Sequence, residues 1–383
     1  MNRSIVFVIT SLGLGGAETQ LQDLALRFKG RGWRVTAVSM IPAEESRAAV
    51  LRQAGVTVES LNMKPGAASF AAMRELAAII RRENPQVVHA HMVHANLLAR
   101  LTRLLVRMPL LISTAHNINE GARWRELAYR LTDPLTDLTT QVSVAGLERY
   151  AEVGAVPRGR MIFMPNGVDT ARFRPNLEAR AAKRAELGLR SLGSPEDEFM
   201  WIAVGRFAEA KDYPNLLRAF AQVAQDQPNA RLFVAGKGDL FEPMKQLVAE
   251  LGLAGSVNLL GPRSDVSALM NAADGYVMSS AWEGMPMVLL EAAAIGLPIV
   301  TTDVGGNREA FEEGKSGYLV PAKDSAALAN GMLELMRQTP EVRAEMGKAA
   351  RRFIVEKYDL ETVVTQWEQL YAKLLNKRAV QGS

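Results

Sequence analysis

Gly275-Tyr276-Val277-Met278-Ser279-Ser280-Ala281-Trp282-Glu283-Gly284-Met285-Pro286-Met287-Val288-Leu289-Leu290-Glu291-Ala292-Ala293-Ala294-Ile295-Gly296-Leu297-Pro298-Ile299-Val300-Thr301-Thr302 reads as strand, loop, helix, strand. The strands are Gly275–Ser279 and Pro298–Thr302, and the helix is Pro286–Ile295. Gly284 frees the loop backbone, and Pro286 suits a first helical position because its missing N–H would be unpaired there anyway. The N–H groups of Met287 and Val288 then point out of a helix N-terminus, a ready anion site. Glu291 lies about one and a half turns in, and its side chain leans back toward that terminus. A carboxylate there accepts bonds from two neighbouring hydroxyls, such as those of a ribose. Glu283 adds a second carboxylate at the loop, so the segment offers a phosphate cradle and a diol clamp, the parts of a nucleotide-sugar site. The same helix also buries Met287, Leu290 and Ala294, and the two roles use different parts of it.

Strand-helix alternation extends in both directions. Before it lie strands Ser4–Thr10, Arg34–Ser39, Gly55–Leu61, Gln86–His91, Leu110–Ala115, Leu138–Ala145 and Met161–Met164. Helical periodicity covers Ala17–Lys29, Ser69–Glu83, Ala95–Val106 and Ala122–Leu131. Residues Asn166–Pro195, with Pro175, Gly188, Gly193 and Pro195, read as a connection. The alternation restarts with strands Met200–Val204, Ala230–Ala235 and Val257–Leu260, and helices Asn215–Gln225, Pro243–Leu251 and Val266–Ala272. A last strand, Gly317–Val320, precedes helices Ser325–Arg337, Pro340–Lys357 and Leu360–Lys377. This predicts an α/β chain of two Rossmann-like, doubly wound parallel-sheet domains facing a central cleft. The expected domains are residues 1–185, joined by a C-terminal helix within 360–383, and residues 186–359.

A length of 383 residues exceeds one ordinary core, which agrees with two domains. The chain has no cysteine, which removes disulfides, thiolate metal sites and a cysteine nucleophile, and suits the cytoplasm. The histidines are His89, His91, His94 and His116, too few to favour a buried zinc centre, and no metal is expected. Ser4–Thr10 is too short for a signal segment, and no apolar run is long enough to span a bilayer. The net charge of +4 is uneven, because residues 1–170 carry the basic excess. That points to an anionic partner for the N-terminal half. Base-stacking aromatics among the basic residues are too sparse for nucleic acid.

Other loops carry chemistry-bearing residues. Ser11-Leu12-Gly13-Leu14-Gly15-Gly16-Ala17-Glu18 links the first strand and helix. Its third glycine position holds Glu18, and the second strand ends at Ser39-Met40 without an acidic residue, so a nicotinamide cofactor is disfavoured. Arg206 and Lys211 flank a loop after a strand, where a guanidinium and an ammonium can neutralise a diphosphate leaving group. His116 ends a strand at the carboxyl edge, placed to hold a sugar hydroxyl or move a proton. His89 and His91 share one strand face. Arg100, Arg103 and Arg107 fall on one side of a helix whose other side is Leu97, Leu98, Leu101, Leu104 and Leu105. With Trp124 nearby, that basic face is a candidate surface for acceptor or anionic lipid.

These motifs together resemble the family 4 retaining glycosyltransferases of the GT-B fold over essentially the whole chain. The resemblance rests on Gly15-Gly16-Ala17-Glu18, His116, Asn166-Gly167-Val168-Asp169, Gly205-Arg206 with Lys211, Gly236-Lys237-Gly238, and Pro286 between Glu283 and Glu291. It implies that Arg206 and Lys211 bind the donor diphosphate and Glu291 the ribose. It places Glu283 and His116 by the donor sugar, and the backbone of Gly284, Met285, Met287 and Val288 on phosphate and sugar hydroxyls. Gly15 and Gly16 would approach the diphosphate from the other domain, and the loop ending at Arg263 would flank the base. Relatives often carry a proline ahead of the first glutamate, where this chain has Ser279-Ser280-Ala281-Trp282, and Trp282 is expected to reshape the sugar pocket. The implied reaction moves a sugar with retention from a nucleoside diphosphate sugar, a UDP-sugar favoured, to a glycan or lipid-linked acceptor, with no cofactor or metal. The implied setting is polysaccharide or glycolipid assembly at the cytoplasmic face of the membrane. The alternatives are a nucleotide-sugar 2-epimerase of the same fold and a non-catalytic sugar-nucleotide-binding protein.

Overall fold

In a computed structural model of the chain, residues 3–13, 15–64, 69–189 and 198–381 are described. Leu14 of the first glycine loop, and Gly193 and Pro195 of the expected connection, lie outside them. The chain divides into two units, residues 1–167 with 360–383, and residues 168–359.

The first unit alternates β1 (Ser4–Ile9), α1 (Gly16–Gly30), β2 (Arg34–Ser39), α2 (Glu45–Gln53), β3 (Thr57–Ser60), α3 (Phe70–Glu83), β4 (Val87–His91), α4 (Val93–Thr102), β5 (Leu110–Ala115), α5 (Arg123–Thr132), β6 (Leu138–Gln141), α6 (Val144–Glu152) and β7 (Met161–Phe163). Its strands are parallel, in the order β3-β2-β1-β4-β5-β6-β7. The period of two along β1 buries both faces. Ile5, Phe7 and Ile9 join one core with Leu21, Leu24 and Phe28 of α1, while Val6 and Val8 join another with Leu76 and Ile80 of α3.

The second unit contains α7 (Leu177–Glu186), β8 (Phe199–Val204), α8 (Tyr213–Asp226), β9 (Ala230–Ala235), α9 (Phe241–Glu250), β10 (Val257–Gly261), α10 (Val266–Ala272), β11 (Gly275–Met278), α11 (Met287–Ile295), β12 (Ile299–Thr302), β13 (Gly317–Val320), α12 (Ser325–Arg337) and α13 (Pro340–Lys357). Its sheet is also parallel, ordered β10-β9-β8-β11-β12-β13. The last helix, α14 (Leu360–Gln381), packs Val363, Trp367 and Tyr371 into the first unit's core beside α1. In each sheet the winding reverses once, at β1/β4 and at β8/β11. Ligand crevices of open α/β sheets lie beyond the strand ends at such points. No helix among the described residues is long and apolar enough to cross a membrane.

The structure corrects four local readings. The expected strand Leu138–Ala145 stops at Gln141, because Ser143 caps α6 by accepting the Gly146 N–H at 3.1 Å. The expected connection 166–195 contains α7, held to the second unit by Arg180 and Arg184 on the Asp274 carboxylate. Residues 168–185 therefore belong with the second unit, not the first. Pro286 stands one place before the helix, as its N-cap, with Met287 first in α11.

The fourth correction concerns the expected helix Ala95–Val106, which in the structure is α4 and ends at Thr102, leaving Arg103, Leu104 and Arg107 beyond it. Arg100 is not on a basic surface but fully buried, at 0 % exposure. Its guanidinium donates to Ser113 Oγ (3.1 Å), Tyr129 O (3.0 Å), Thr132 Oγ1 (3.2 Å) and Thr139 Oγ1 (2.8 Å), and lies over the Tyr129 ring. A guanidinium tolerates burial when its fork is met by acceptors. Arg103 is half-buried too, paired with Asp137 at 3.0 Å. Conversely Leu104, on the apolar side of the expected helix, is 66 % exposed. Only Arg107 of the three arginines is exposed. Arg100→Ala should therefore destabilise the protein in urea by about 3 kcal/mol, since several buried acceptors lose their donor. Arg107→Ala should change it by less than about 0.5 kcal/mol.

Candidate functional site

In the second unit the switch-point strands β8 and β11 each end in a loop, and the two loops are tied together. The Ala281 N–H donates to Ala210 O at 2.8 Å, and Ser279 Oγ donates to Lys211 O at 2.7 Å. Lys211 Nζ lies 2.5 Å from Glu283 Oε1, which also accepts from Ser280 Oγ at 2.7 Å. Both side chains are mostly buried, at 17 % and 13 % exposure, so this pair is little screened by solvent. Asp212 then turns the chain with a left-handed φ of 46° and starts α8. The adjacent Tyr213 phenol is pushed above its usual range, first by burial and then by the Glu283 charge.

The third wall is the Gly236-Lys237-Gly238 turn after β9. A Cβ at Gly236 would overlap the Gly205 carbonyl oxygen, so only glycine lets the two loops meet. The Phe207 N–H donates to Lys237 O at 2.9 Å, and the Gly236 N–H to Gly261 O at 2.8 Å. Arg206 is exposed on the loop between these contacts. Behind Glu283, Gly284 O accepts from the Gly306 N–H at 2.8 Å, which fixes the entry to α11. The first N–H groups of α11, from Met287 and Val288, have no intrahelical acceptor and carry the positive end of the helix dipole. Glu291, one turn further, is buried to 8 % exposure. The unit thus gathers Arg206, Lys211, Glu283, the segment Gly284–Val288 and Glu291 around one sheet edge. Trp282 stands exposed on the loop. Arg263 is held by Asp265, its Nε 2.8 Å from Oδ1, in a surface network with Lys183.

In the first unit, Gly15 precedes α1 in extended backbone, and a Cβ there would strike the Glu18 carboxylate. That carboxylate folds back to accept from Ser11 Oγ at 2.8 Å, while Arg47 Nε braces Gly13 O at 2.9 Å. Gly16 opens the helix beside it. Across the switch point, His116 follows β5, and its Nε2 lies 2.9 Å from His91 Nδ1 at the end of β4. His89 is engaged on both nitrogens, by Thr114 Oγ1 at 2.6 Å and Tyr371 Oη at 2.7 Å. Met92, directly after His91, has φ 73° and ψ 155°, a glycine-like backbone that costs on the order of 1–3 kcal/mol in other residues. Burial lowers the His116 pKa to about 4 and holds that of His91 well below the ordinary range.

The sequence points to His116 more than to His91, and it does not single out Ser279, Ser280, Gln20 or Arg47. The serines sit inside the motif that was read, but only the fold shows that they brace Lys211 and Glu283. His91 was legible as the strand partner of His89. Its contact with His116 depends on strand order.

The pH dependence follows from the lowered histidine pKa. The unfolded chain binds a proton at His116 near 6.5, whereas the folded chain does so only near about 4. Stability should therefore fall as pH drops through that window, by about 3 kcal/mol for His116 alone. Thermal midpoints at pH 7 and 4.5 check this, with a smaller drop expected in His116→Asn. Parallel profiles would contradict it.

A family model for Glycosyltransferase Family 4 matches residues 14–172, and one for Glycosyl transferases group 1 matches residues 187–353. The chain is 25% identical to an Escherichia coli UDP-Gal:alpha-D-GlcNAc-diphosphoundecaprenol alpha-1,3-galactosyltransferase, over 78% of each chain. It is 31% identical to the N-acetyl-alpha-D-glucosaminyl L-malate synthase of Bacillus anthracis, over 49% of this chain and 48% of that one. Anabaena HepE, solved in complex with UDP, shares the fold with a TM-score of 0.84 at 22% identity, over 97% of this chain and 100% of that one. With both sheets, their switch-point loops and these matches in agreement, the chain belongs to the family 4 glycosyltransferases of the GT-B fold, enzymes of glycan or glycolipid synthesis.

Proposed function

We propose that the chain transfers a sugar with retention from a uridine diphosphate sugar to a hydroxyl of a glycan or lipid-linked acceptor, without a metal. The observation that carries this is the Lys211–Glu283 pair, braced by Ser280 at the mouth of α11. It supplies an ammonium for the diphosphate and a fixed carboxylate beside it. Arg206 and the α11 N-terminus add positive potential, and Glu291 accepts from the ribose diol. By the family resemblance, Gly15, Gly16 and His116 are the first unit's contributions. HepE is solved with UDP and with UDP-glucose, and the E. coli relative is named for UDP-Gal and a diphosphoundecaprenol acceptor. These names favour uridine and a lipid-linked acceptor.

In the proposed step the bond from the anomeric carbon to the phosphate oxygen breaks. The acceptor oxygen bonds to that carbon on the same face, and its proton passes to the departing phosphate. Arg206, Lys211 and the helix N–H groups stabilise the charge that develops on the diphosphate. Lys211→Ala should lower kcat about 100-fold or more, and it should also lower the thermal midpoint because the mostly buried Glu283 carboxylate loses its partner. Near-normal transfer would sink the assignment. A thermal-shift screen of UDP, GDP and ADP sugars, with and without EDTA, should show a selective, EDTA-insensitive rise with a UDP-sugar. Conversion of donor with no acceptor present would instead favour epimerase chemistry, and binding without turnover a silent protein.

The surface proposed for a lipid-linked acceptor moves from the α4 arginines to α5. There Trp124, Leu127 and Leu131 are exposed at helical spacing, beside exposed Arg123 and Arg130. An apolar stripe flanked by arginines fits an anionic bilayer interface. Sedimentation with phosphatidylglycerol vesicles should exceed that with phosphatidylcholine vesicles, and Trp124→Ala should reduce it. Equal partitioning between the two lipids would contradict the assignment.

A further inference from the structure

In the first unit, a cavity of about 10 Å³ lies among Gln20, His91, His116, Asn166 and Trp367. That is the room one water molecule needs. Two of the lining residues carry a buried polar atom without a hydrogen-bond partner among the described residues, Gln20 Nε2 and His91 Nε2. Both residues are almost fully enclosed, at 2 % and 1 % exposure. Buried polar atoms without partners are rare, and two on one small cavity mark it as a place for a bridging water.

The direction of each bond can be worked out. Gln20 Oε1 accepts the Gly167 N–H at 2.9 Å, so the amide orientation is set and Nε2 is the donor left over. A water that accepts from Gln20 has a hydrogen to give, and His91 Nε2 can take it only if that nitrogen is bare. The His91 proton then sits on Nδ1 and is donated across 2.9 Å to His116 Nε2. With its Nε2 accepting, His116 carries its own proton on Nδ1. In the reverse order one water would accept from both Gln20 and His91, and its own two hydrogens would meet no unpartnered buried side-chain acceptor among the described lining residues. The chain also requires neutral rings, which burial favours at both histidines.

We infer that Gln20 and His91, through one buried water, are positioning residues that fix His116 as an Nδ1–H donor, so that it offers a hydrogen bond to an acceptor oxygen of the bound sugar. Only the identity of that oxygen's owner rests on the proposed function. The order of protons belongs to the protein itself. His89 is outside the relay, because both of its nitrogens are already engaged. The strained Met92 backbone holds the end of β4 that presents His91.

The test uses the full chain labelled with ¹⁵N-histidine. With four histidines, multiple-bond ¹H–¹⁵N correlation can assign each ring. The expected result is Nδ1–H with bare Nε2 at both His91 and His116. An Nε2–H tautomer at His116 would overturn the inference. Gln20→Met removes the donor to the water and should leave His91 and His116 as mixed tautomers, and an unchanged spectrum would also overturn it. In transfer assays His91→Leu should lower kcat about 10-fold with little change in KM, and His91→Asn, whose amide can donate from the Nδ1 position, should recover most of it. If the tautomers are as expected and no sugar nucleotide is turned over, the relay stands and the proposed function fails.

Discussion

The second unit's chemistry depends on the joining of two loops that leave β8 and β11. Each loop alone would be a short turn with long polar side chains in water. Tied by Ala281 to Ala210 and by Ser279 to Lys211, they become one surface. The Lys211–Glu283 pair closes it, and its low exposure makes the arrangement costly to rearrange. A flexible lysine in water would surrender rotamer freedom each time it met an anion. Here its position is set beforehand by Glu283, itself braced by Ser280, and pre-set charge costs no reorganisation when new charge develops. Gly236 serves the same end from the other side, since any side chain there would push the Gly205 loop away.

Much of this was legible in the chain because it follows local rules. Alternating apolar strands and amphipathic helices give two parallel sheets, and the glycine and proline around Glu283 mark a loop entering a helix. The misread elements share a cause. Ser143 could continue a β-rich run or cap a helix, and only its bond to the Gly146 N–H decides. On α4 both Arg100 and Leu98 are buried, which a division into one basic and one apolar side does not anticipate. The sheet offers the Ser113 and Thr139 hydroxyls and α5 the Tyr129 carbonyl, so Arg100 goes in, while Leu104 stays out. Composition treats every arginine as surface charge, whereas a buried fork with four acceptors obeys a different balance.

The site residues divide the same way. Arg206, Lys211, Glu283 and Glu291, the charges proposed to face the ligand, are recognisable because they sit at fixed offsets from glycine and proline. Ser280 acts on the Glu283 side chain, Gln20 on the Gly167 N–H and His91 on His116, and hydropathy patterning pairs none of them with its target. Gln20 meets Gly167 across 147 positions, and His91 meets His116 across 25. Such contacts are set by strand order, which puts β4 and β5 side by side.

The two units also handle polarity in opposite ways, and the contrast bears on what each can do. The second unit concentrates fixed charge near a strand edge, which suits a diphosphate that gains charge as its bond breaks. The first unit keeps its histidines neutral by burial, so His116 adds no charge to whatever it meets. A neutral imidazole is useful only if its proton lies on the correct nitrogen, since one is a donor and the other an acceptor. An exposed ring would exchange between both forms. Enclosing His91 and bonding it to His116 converts an ambiguous group into a directional one. Directional hydrogen bonding distinguishes one hydroxyl arrangement from another, whereas fixed positive charge recognises a diphosphate whatever sugar it carries. In the proposed function the neutral His116 therefore adds a directional contact to the sugar, and the second unit's fixed positive charge stabilises the leaving group.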